Sequence, residues 1–351
     1  MQTIKDVNFK DKTVLVRVDY NVPLKDGEVE SDLRIRASLP TISYLREHGA
    51  KKIILISHLG RPEGRDKSLS LKPVAIALKE LLPNVSFVDD VSGPDVEQAV
   101  HDMKKGDILL LENLRFFPGE EANSDDFIRE IIDSIGADLF IQDGFAVIHR
   151  AHASTDAIKN HLPVYAGLLL EKEVNNLKTA TENPEHPVLL IIGGAKVDDK
   201  QPLIEKFLPQ ADHIFVGGKI AADGYKSDNP KIYVAEDFDE NSAGQKLDIG
   251  PISTGKLTSL IENARTIIWN GLLGYAEDPA YATASTIAAE KIGEKEDATT
   301  IICGGDTTGF VESLMESHPN LNYSLVSTGG GASLELLLGN TLPGLECIND
   351  K

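Results

Sequence analysis

Only two cysteines, Cys303 and Cys347, occur in the 351 residues, too few for a disulfide framework, so a reducing compartment is expected. No apolar run reaches bilayer-spanning length, and the opening MQTIKDVNFKDK has no apolar leader core. A cytoplasmic protein with no membrane partner is the expectation. Positive charge is scarce as well: Lys and Arg number 35 against 55 Asp and Glu, a formal net charge of -20. This balance argues against non-specific binding to nucleic acid or to an anionic membrane. It also means that an anionic substrate needs a locally basic pocket inside an acidic body. No GxxxxGK[ST] phosphate loop occurs, and neither does a nucleophile elbow or a Ser-His-Asp pattern.

Short apolar runs alternate with amphipathic stretches from end to end. The spacing predicts strands over 13–18, 52–57, 107–111 and 137–141, with helices over 32–48, 72–82 and 124–135. A long amphipathic segment, 167–181, bridges to a second series. Strands follow over 188–192, 213–216, 266–269, 299–303 and 323–326, with helices over 200–208 and 280–292 and one ending at Leu338. Residues 221–245 read as loop apart from a short strand over 231–234. This βαβα rhythm predicts an α/β fold of two Rossmann-like lobes, each a parallel sheet covered by helices, joined by the bridging helix. A chain of this length suits two domains of roughly 150 residues each.

In such sheets ligands sit beyond the carboxyl ends of the strands. Four of these ends in the first half read Asp19-Tyr20-Asn21, His58-Leu59-Gly60-Arg61, Glu112-Asn113-Leu114-Arg115 and Asp143-Gly144-Phe145 leading to Arg150. Arg34 opens the first helix. Any one arginine suits a surface ion pair, and His58 alone suits a structural role. Arg34, Arg61, Arg115 and Arg150 at successive strand ends suit bidentate capture of a phosphate or carboxylate. In the second half four strands run into glycine turns before helices: Gly193-Gly194-Ala195-Lys196, Gly217-Gly218, Gly304-Gly305-Asp306-Thr307 and Gly329-Gly330-Gly331. Bare amides at helix N-termini favour phosphates. Lys196 and Lys200, four apart, can share one helix face. Asp306 would suit Mg²⁺ or a helix N-cap. Arginines for a small acid and glycine turns for a nucleotide together suggest phosphoryl transfer, with Lys196 and Arg34 meeting the migrating group from opposite sides. A carboxylate acceptor would need no general base.

The runs VRVDYNVPL, SHLGRP, ENLRF, HRAHAS, GGAKVDDK, LDIGP, WNG, GGDTT and STGGGASLELL, in this order, resemble the phosphoglycerate kinase family across nearly the whole chain. The resemblance implies a two-lobed, monomeric glycolytic enzyme. It would move a phosphoryl group between 1,3-bisphosphoglycerate and ADP, giving 3-phosphoglycerate and Mg-ATP. Carried over by motif, Asp19, Asn21, Arg34, His58, Arg61, Arg115 and Arg150 resemble the phosphoglycerate pocket. Lys196 and Lys200 resemble the lysines on the transferred group and nucleotide phosphates, with Arg34 the third catalytic cation. Asn270 resembles a phosphate-side contact, Glu277 the ribose ligand, Asp306 the metal-nucleotide aspartate, and Gly217 with Gly218 the adenine neighbours. Residues 1–166 are then the phosphoglycerate domain and 167–338 the bridging helix with the nucleotide domain, the tail 339–351 packing back on the first. The family's Trp-Asn-Gly-Pro reads Trp269-Asn270-Gly271-Leu272 here, which implies a looser turn. The stretch between Ala221 and Leu247 is a few dozen residues shorter than the family pattern. The alternative is a catalytically weak relative that binds phosphoglycerate or nucleotide as a regulator.

Overall fold

The structure, a computed structural model, describes residues 1–348. Two sheets of six strands carry the fold, and every pairing within them is parallel. The first is ordered Val85–Phe87, Asp107–Leu110, Lys52–Ile56, Thr13–Arg17, Leu139–Gln142, Val164–Ala166. The second is ordered Ile232–Val234, His213–Val216, Val188–Ile192, Thr266–Asn270, Thr299–Cys303, Leu325–Val326. Every residue of Thr13–Arg17 and of Val188–Ile192 is buried. Helices on both faces leave these strands no solvated side, which is why Val188–Ile192 reads as an unbroken Val, Leu and Ile run and Thr13–Arg17 holds Val14, Leu15 and Val16 in succession.

In the second sheet the chain moves outward one way from Val188–Ile192, then returns and moves outward the other way from Thr266–Asn270. The crevice between these two strands' carboxyl ends is the topological switch point, where open α/β sheets bind ligands. Their register pairs Ile192 with Asn270, so the turns at Gly193 and Gly271 emerge side by side.

Edges and helix starts differ from the sequence expectation. Strands Val85–Phe87 and Val164–Ala166 and helices Pro94–Asp102 and Pro251–Asn263 were not foreseen. Three-residue edge strands are too short to show a period, and both helices start at Pro after Gly, which reads as loop. The stretch expected to be loop holds strand Phe238–Glu240, paired antiparallel with Lys246–Ile249. The helix expected from Lys200 begins at Val197, with Lys196 at its N-cap and Asp198 and Asp199 in the first turn. Those carboxylates suit the positive helix end better than lysines do. The helix expected over 280–292 is Thr283–Gly293, preceded by a 3₁₀ turn, Pro279–Tyr281, capped by Asp278.

Contacts divide the chain into Met1–Lys172 with the stretch from Thr341, and Glu173–Asn340, the division falling inside helix Leu168–Glu182. Within the first unit Gly344 N donates to Ile148 O at 2.9 Å. Residues 349–351 of the expected tail lie outside the described residues.

Helix Leu168–Glu182 starts on a buried carboxylate. Asp143 Oδ1 accepts from Leu169 N (3.0 Å) and Leu170 N (3.3 Å). Burial outweighs these bonds and pushes the carboxyl up to about 7. The folded chain therefore keeps a proton that the unfolded chain releases near 3.8, and stability falls as pH rises between those values. Asp143→Asn, which keeps an acceptor oxygen, should show a shallower slope in that window, where Asp248 and Glu112, also raised by burial, still contribute. At pH 8 it should be the more stable by at least ~1 kcal/mol in urea unfolding. The same slope in both proteins would rule Asp143 out as the titrating group.

Candidate active site

Because the strands of the first sheet are parallel, their carboxyl ends share one edge. Asp19 and Asn21 follow Thr13–Arg17, His58 and Arg61 follow Lys52–Ile56, Arg115 follows Asp107–Leu110, and Arg150 follows Leu139–Gln142. Arg34 lies in the first turn of helix Leu33–Glu47 and pairs with the Asp19 carboxylate. Asn21 Oδ1 accepts from Gly60 N at 2.8 Å, and Arg115 Nη1 donates to Gly60 O at 2.8 Å. The Nε and Nη2 atoms of Arg115 are buried without a hydrogen bond, Glu121 Oε1 approaching Nε at 3.3 Å but out of line. Burial and the Arg150 and Arg17 guanidiniums push Arg115 down to about 10.

His58 is buried beside the same charges. Burial first, then Arg17, Arg115, Arg150 and Arg34, hold it well below its usual range, so the imidazole is neutral near pH 7. Arg115, with two buried donor atoms lacking hydrogen bonds and two guanidiniums beside it, is the member of this group that an entering anion would relieve most. Arg61 is exposed at the rim.

In the second unit a cavity of about 610 Å³ lies at the switch point. Gly194, Ala195, Lys200, Gly218, Glu277, Gly304, Gly305, Asp306 and Thr307, all singled out from the sequence, line it. Gly193, Gly217 and Asn270 are buried behind that lining. Lys196 is exposed and does not line the cavity. Lys200 Nζ donates to Asn270 Oδ1. Burial lowers its ammonium pKa, opposed by Cys303, Asp199 and Asp306. Asn270 Nδ2 in turn reaches Cys303 Sγ at 3.2 Å. Asp306 sits in the first turn of helix Gly305–Ser317, whose N-cap is Gly304, so the capping role left open for Asp306 does not apply.

The turn expected to be loose is pinned. Gly193 N donates to Asn270 O (3.0 Å), Gly194 N to Leu272 O (2.8 Å), and Gly271 N to Thr307 Oγ1 (2.8 Å). Across the cavity the hairpin presents Phe238, with Lys246 Nζ 4.5 Å from its ring centroid, and Glu277 Oε2 accepts from Tyr275 OH at 2.6 Å. The N-terminus of helix Gly305–Ser317 and the Lys200 ammonium, with the Phe238 ring and the Glu277 carboxylate on the same lining, are the kinds of group a nucleotide's phosphates, base and ribose require.

The family model described as phosphoglycerate kinase matches residues 4–233 and 225–340. The chain belongs to the phosphoglycerate kinase family. The phosphoglycerate kinase of Lactobacillus acidophilus is 40% identical over 405 aligned residues, covering 99% of each chain, and that of Lactobacillus johnsonii is 39% identical over the same span. Among solved structures, the phosphoglycerate kinase of Pyrococcus horikoshii OT3 superposes with a TM-score of 0.86 at 28% identity over 99% of this chain and 98% of that one. The Coxiella burnetii phosphoglycerate kinase gives 0.80 at 31% identity over 98% of both. The 405 aligned positions exceed the chain's 351 residues, so the Lactobacillus phosphoglycerate kinases carry segments it lacks. The two pieces of the family match overlap at 225–233, inside the stretch that reads short.

Sequence reasoning missed Arg17, Ser154 and Glu120, all buried in the first unit, and the hairpin residues Phe238 and Lys246 in the second. Arg17 left one signal: it is a charged residue inside the apolar run 13–18. Phe238 and Lys246 left none, because the hairpin's polar, short strands have no usable period.

Proposed function

We propose that this chain transfers a phosphoryl group reversibly between 1,3-bisphosphoglycerate and ADP, giving 3-phosphoglycerate and ATP, as a cytoplasmic monomer in glycolysis. The observation that carries this reading is Lys200, half-buried on the wall of a glycine-rich cavity with Asp306 close enough to act on its charge. A protein that only bound a nucleotide would have little use for an ammonium held at such a desolvation cost. Arg34, Arg61, Arg115, Arg150, His58, Asp19 and Asn21 receive the phosphoglycerate, whose carboxylate is already ionised and needs no base. Gly193, Gly194, Ala195, Gly304, Gly305 and Thr307 surround the nucleotide phosphates, Gly217 and Gly218 the base, and Glu277 the ribose. Asn270 holds Lys200 in place. Arg34 in the first unit and Lys196, exposed at its helix N-cap in the second, are assigned roles in transfer from the family resemblance.

Asp306 suits Mg²⁺ because this ion commonly takes one or two carboxylates and fills its shell with phosphate oxygens and water. When bound, the ion supplies neutralisation of the charge on the β- and γ-phosphate oxygens. No helix among the described residues is long and apolar enough to cross a membrane.

The test is a coupled assay with 3-phosphoglycerate and MgATP, repeated with MgGTP. Turnover on the order of 1–100 s⁻¹ with at least one nucleotide is expected. Tight phosphoglycerate binding with no turnover on either would favour the regulator.

A further inference from the structure

The first unit contains a chain of buried polar groups that reaches the phosphoglycerate residues from below. Arg17 is 1% exposed. Its Nε donates to Ser154 Oγ at 2.8 Å, Nη1 to Val18 O at 2.6 Å, and Nη2 lies 3.2 Å from His58 Nδ1. Ser154 Oγ donates to Glu120 Oε1 at 2.6 Å, and Glu120 Oε2 accepts from Ser154 N at 3.0 Å.

Donor and acceptor roles in this chain are forced. A guanidinium has five N–H donors and no acceptor. Ser154 Oγ therefore accepts from Arg17 and gives its own proton to Glu120. For the same reason His58 Nδ1 accepts from Arg17 Nη2, so the ring's proton is on Nε2. Asp19 Oδ1 lies 3.9 Å from His58 Nδ1, beyond hydrogen-bond reach, and does not compete for that nitrogen. Of the other charged groups near the ring, Arg34, Arg115 and Arg150 oppose a second proton and the Asp19 carboxylate favours one, with burial and the arginines prevailing.

We propose that Arg17 is a positioning residue that holds His58 as the neutral Nε2–H tautomer, so that the ring meets phosphoglycerate as a fixed hydrogen-bond donor. This rests on the reading of His58 as part of the phosphoglycerate site. Arg17 is buried, with Nε, Nη1 and Nη2 each turned to a protein acceptor. Its charge is shared with Glu120 through Ser154, and its fork spans two strand ends, Val18 and His58, which sets the ring's direction as well as its protonation. A histidine that bound by gaining charge would weaken its hold on the substrate as pH rose. A ring fixed in this way binds through direction and is indifferent to pH in the physiological range.

The experiment uses the full-length protein with ¹⁵N-labelled histidine. Two-bond ¹H–¹⁵N spectra, with His58 assigned by its absence in His58→Gln, should show an unprotonated Nδ1 and a protonated Nε2 from about pH 5.5 to 8. In Arg17→Met, His58 should show mixed tautomers or titrate in that range. The Kd for 3-phosphoglycerate by calorimetry should rise at least about tenfold, while kcat at saturation falls less than about threefold. A wild-type His58 with a proton on Nδ1 would overturn the proposal, and so would an Arg17→Met protein with unchanged ring signals and unchanged Kd. If Arg17→Met does not fold, the wild-type spectrum alone decides. Wild-type protein that binds no phosphoglycerate would instead overturn the reading of the site, while the spectrum would still report the tautomer.

Discussion

Lys200→Ala is expected to lower kcat by about 10²–10³, the usual loss when one preorganised cation or donor is removed from a transition-state site. Two opposing effects set its stability. Burial disfavours the Lys200 ammonium, so at neutral pH the folded state carries a penalty that alanine removes. Against this, Asn270 is buried and its Oδ1 loses the partner that Lys200 provides, at roughly 1–3 kcal/mol. The two oppose each other, so the melting temperature should move by no more than a few degrees. Phosphoglycerate affinity should stay within about threefold, because every residue assigned to that ligand belongs to the other unit. Steady-state kinetics, calorimetry and a thermal melt together check this. If turnover stayed within about threefold of the parent, the transfer role would be lost. A collapse in melting temperature would make Lys200 a structural residue.

Gly271→Ala should have the largest effect on stability. Gly271 has φ +102°, in the region that favours glycine. A Cβ there would stand 2.2 Å from Gly193 O and 2.3 Å from Gly193 C. Both obstacles are backbone atoms at the end of a central strand, so no side-chain tip can swing aside. The reverse clash exists too: a Cβ on Gly193 would lie 2.2 Å from Leu272 O. The two turns are therefore fitted to each other by the absence of side chains. Left-handed strain of about 1–2 kcal/mol and overpacking of about 1–3 kcal/mol give a loss of a few kcal/mol, a large share of the roughly 5–15 kcal/mol a domain has. The melting temperature of the unit carrying this sheet should fall on the order of 10 °C. Nucleotide affinity should fall with it, since Gly194 and Ala195, which line the cavity, must move with Gly193. A melt within about 2 °C of the parent, with unchanged KM for ATP, would show that the turns have room the distances deny.

Much of this protein could be read before folding because its strands are buried on both faces. Two-sided burial turns a strand into an unbroken apolar run, and the run ends where the ligand edge begins. Residues 188–192 followed by Gly193, and 299–303 followed by Gly304, are marked in this way, as are His58 after 52–56 and Arg115 after 107–110. Glycine at a strand end is a local requirement of backbone geometry, and an arginine cluster is a local requirement of charge, so composition at those positions carries them. The ordered motifs added the family, and its profile and relatives bear that out.

The remainder depended on partners distant in sequence. Lys196 and Lys200 look alike along the chain, but only the helix start at Val197 puts one in the open and the other against Asn270, seventy positions away. Gly193 and Gly271 became necessary to each other only when the sheet order made their strands neighbours. The Arg17, Ser154 and Glu120 chain joins three segments that have no local pattern in common. The sequence by itself determined which residue types wait at the ligand edge, because backbone geometry and charge act locally. The tertiary structure alone decided which cation is buried and which nitrogen of His58 holds the proton, because desolvation and hydrogen-bond direction are properties of neighbours in space.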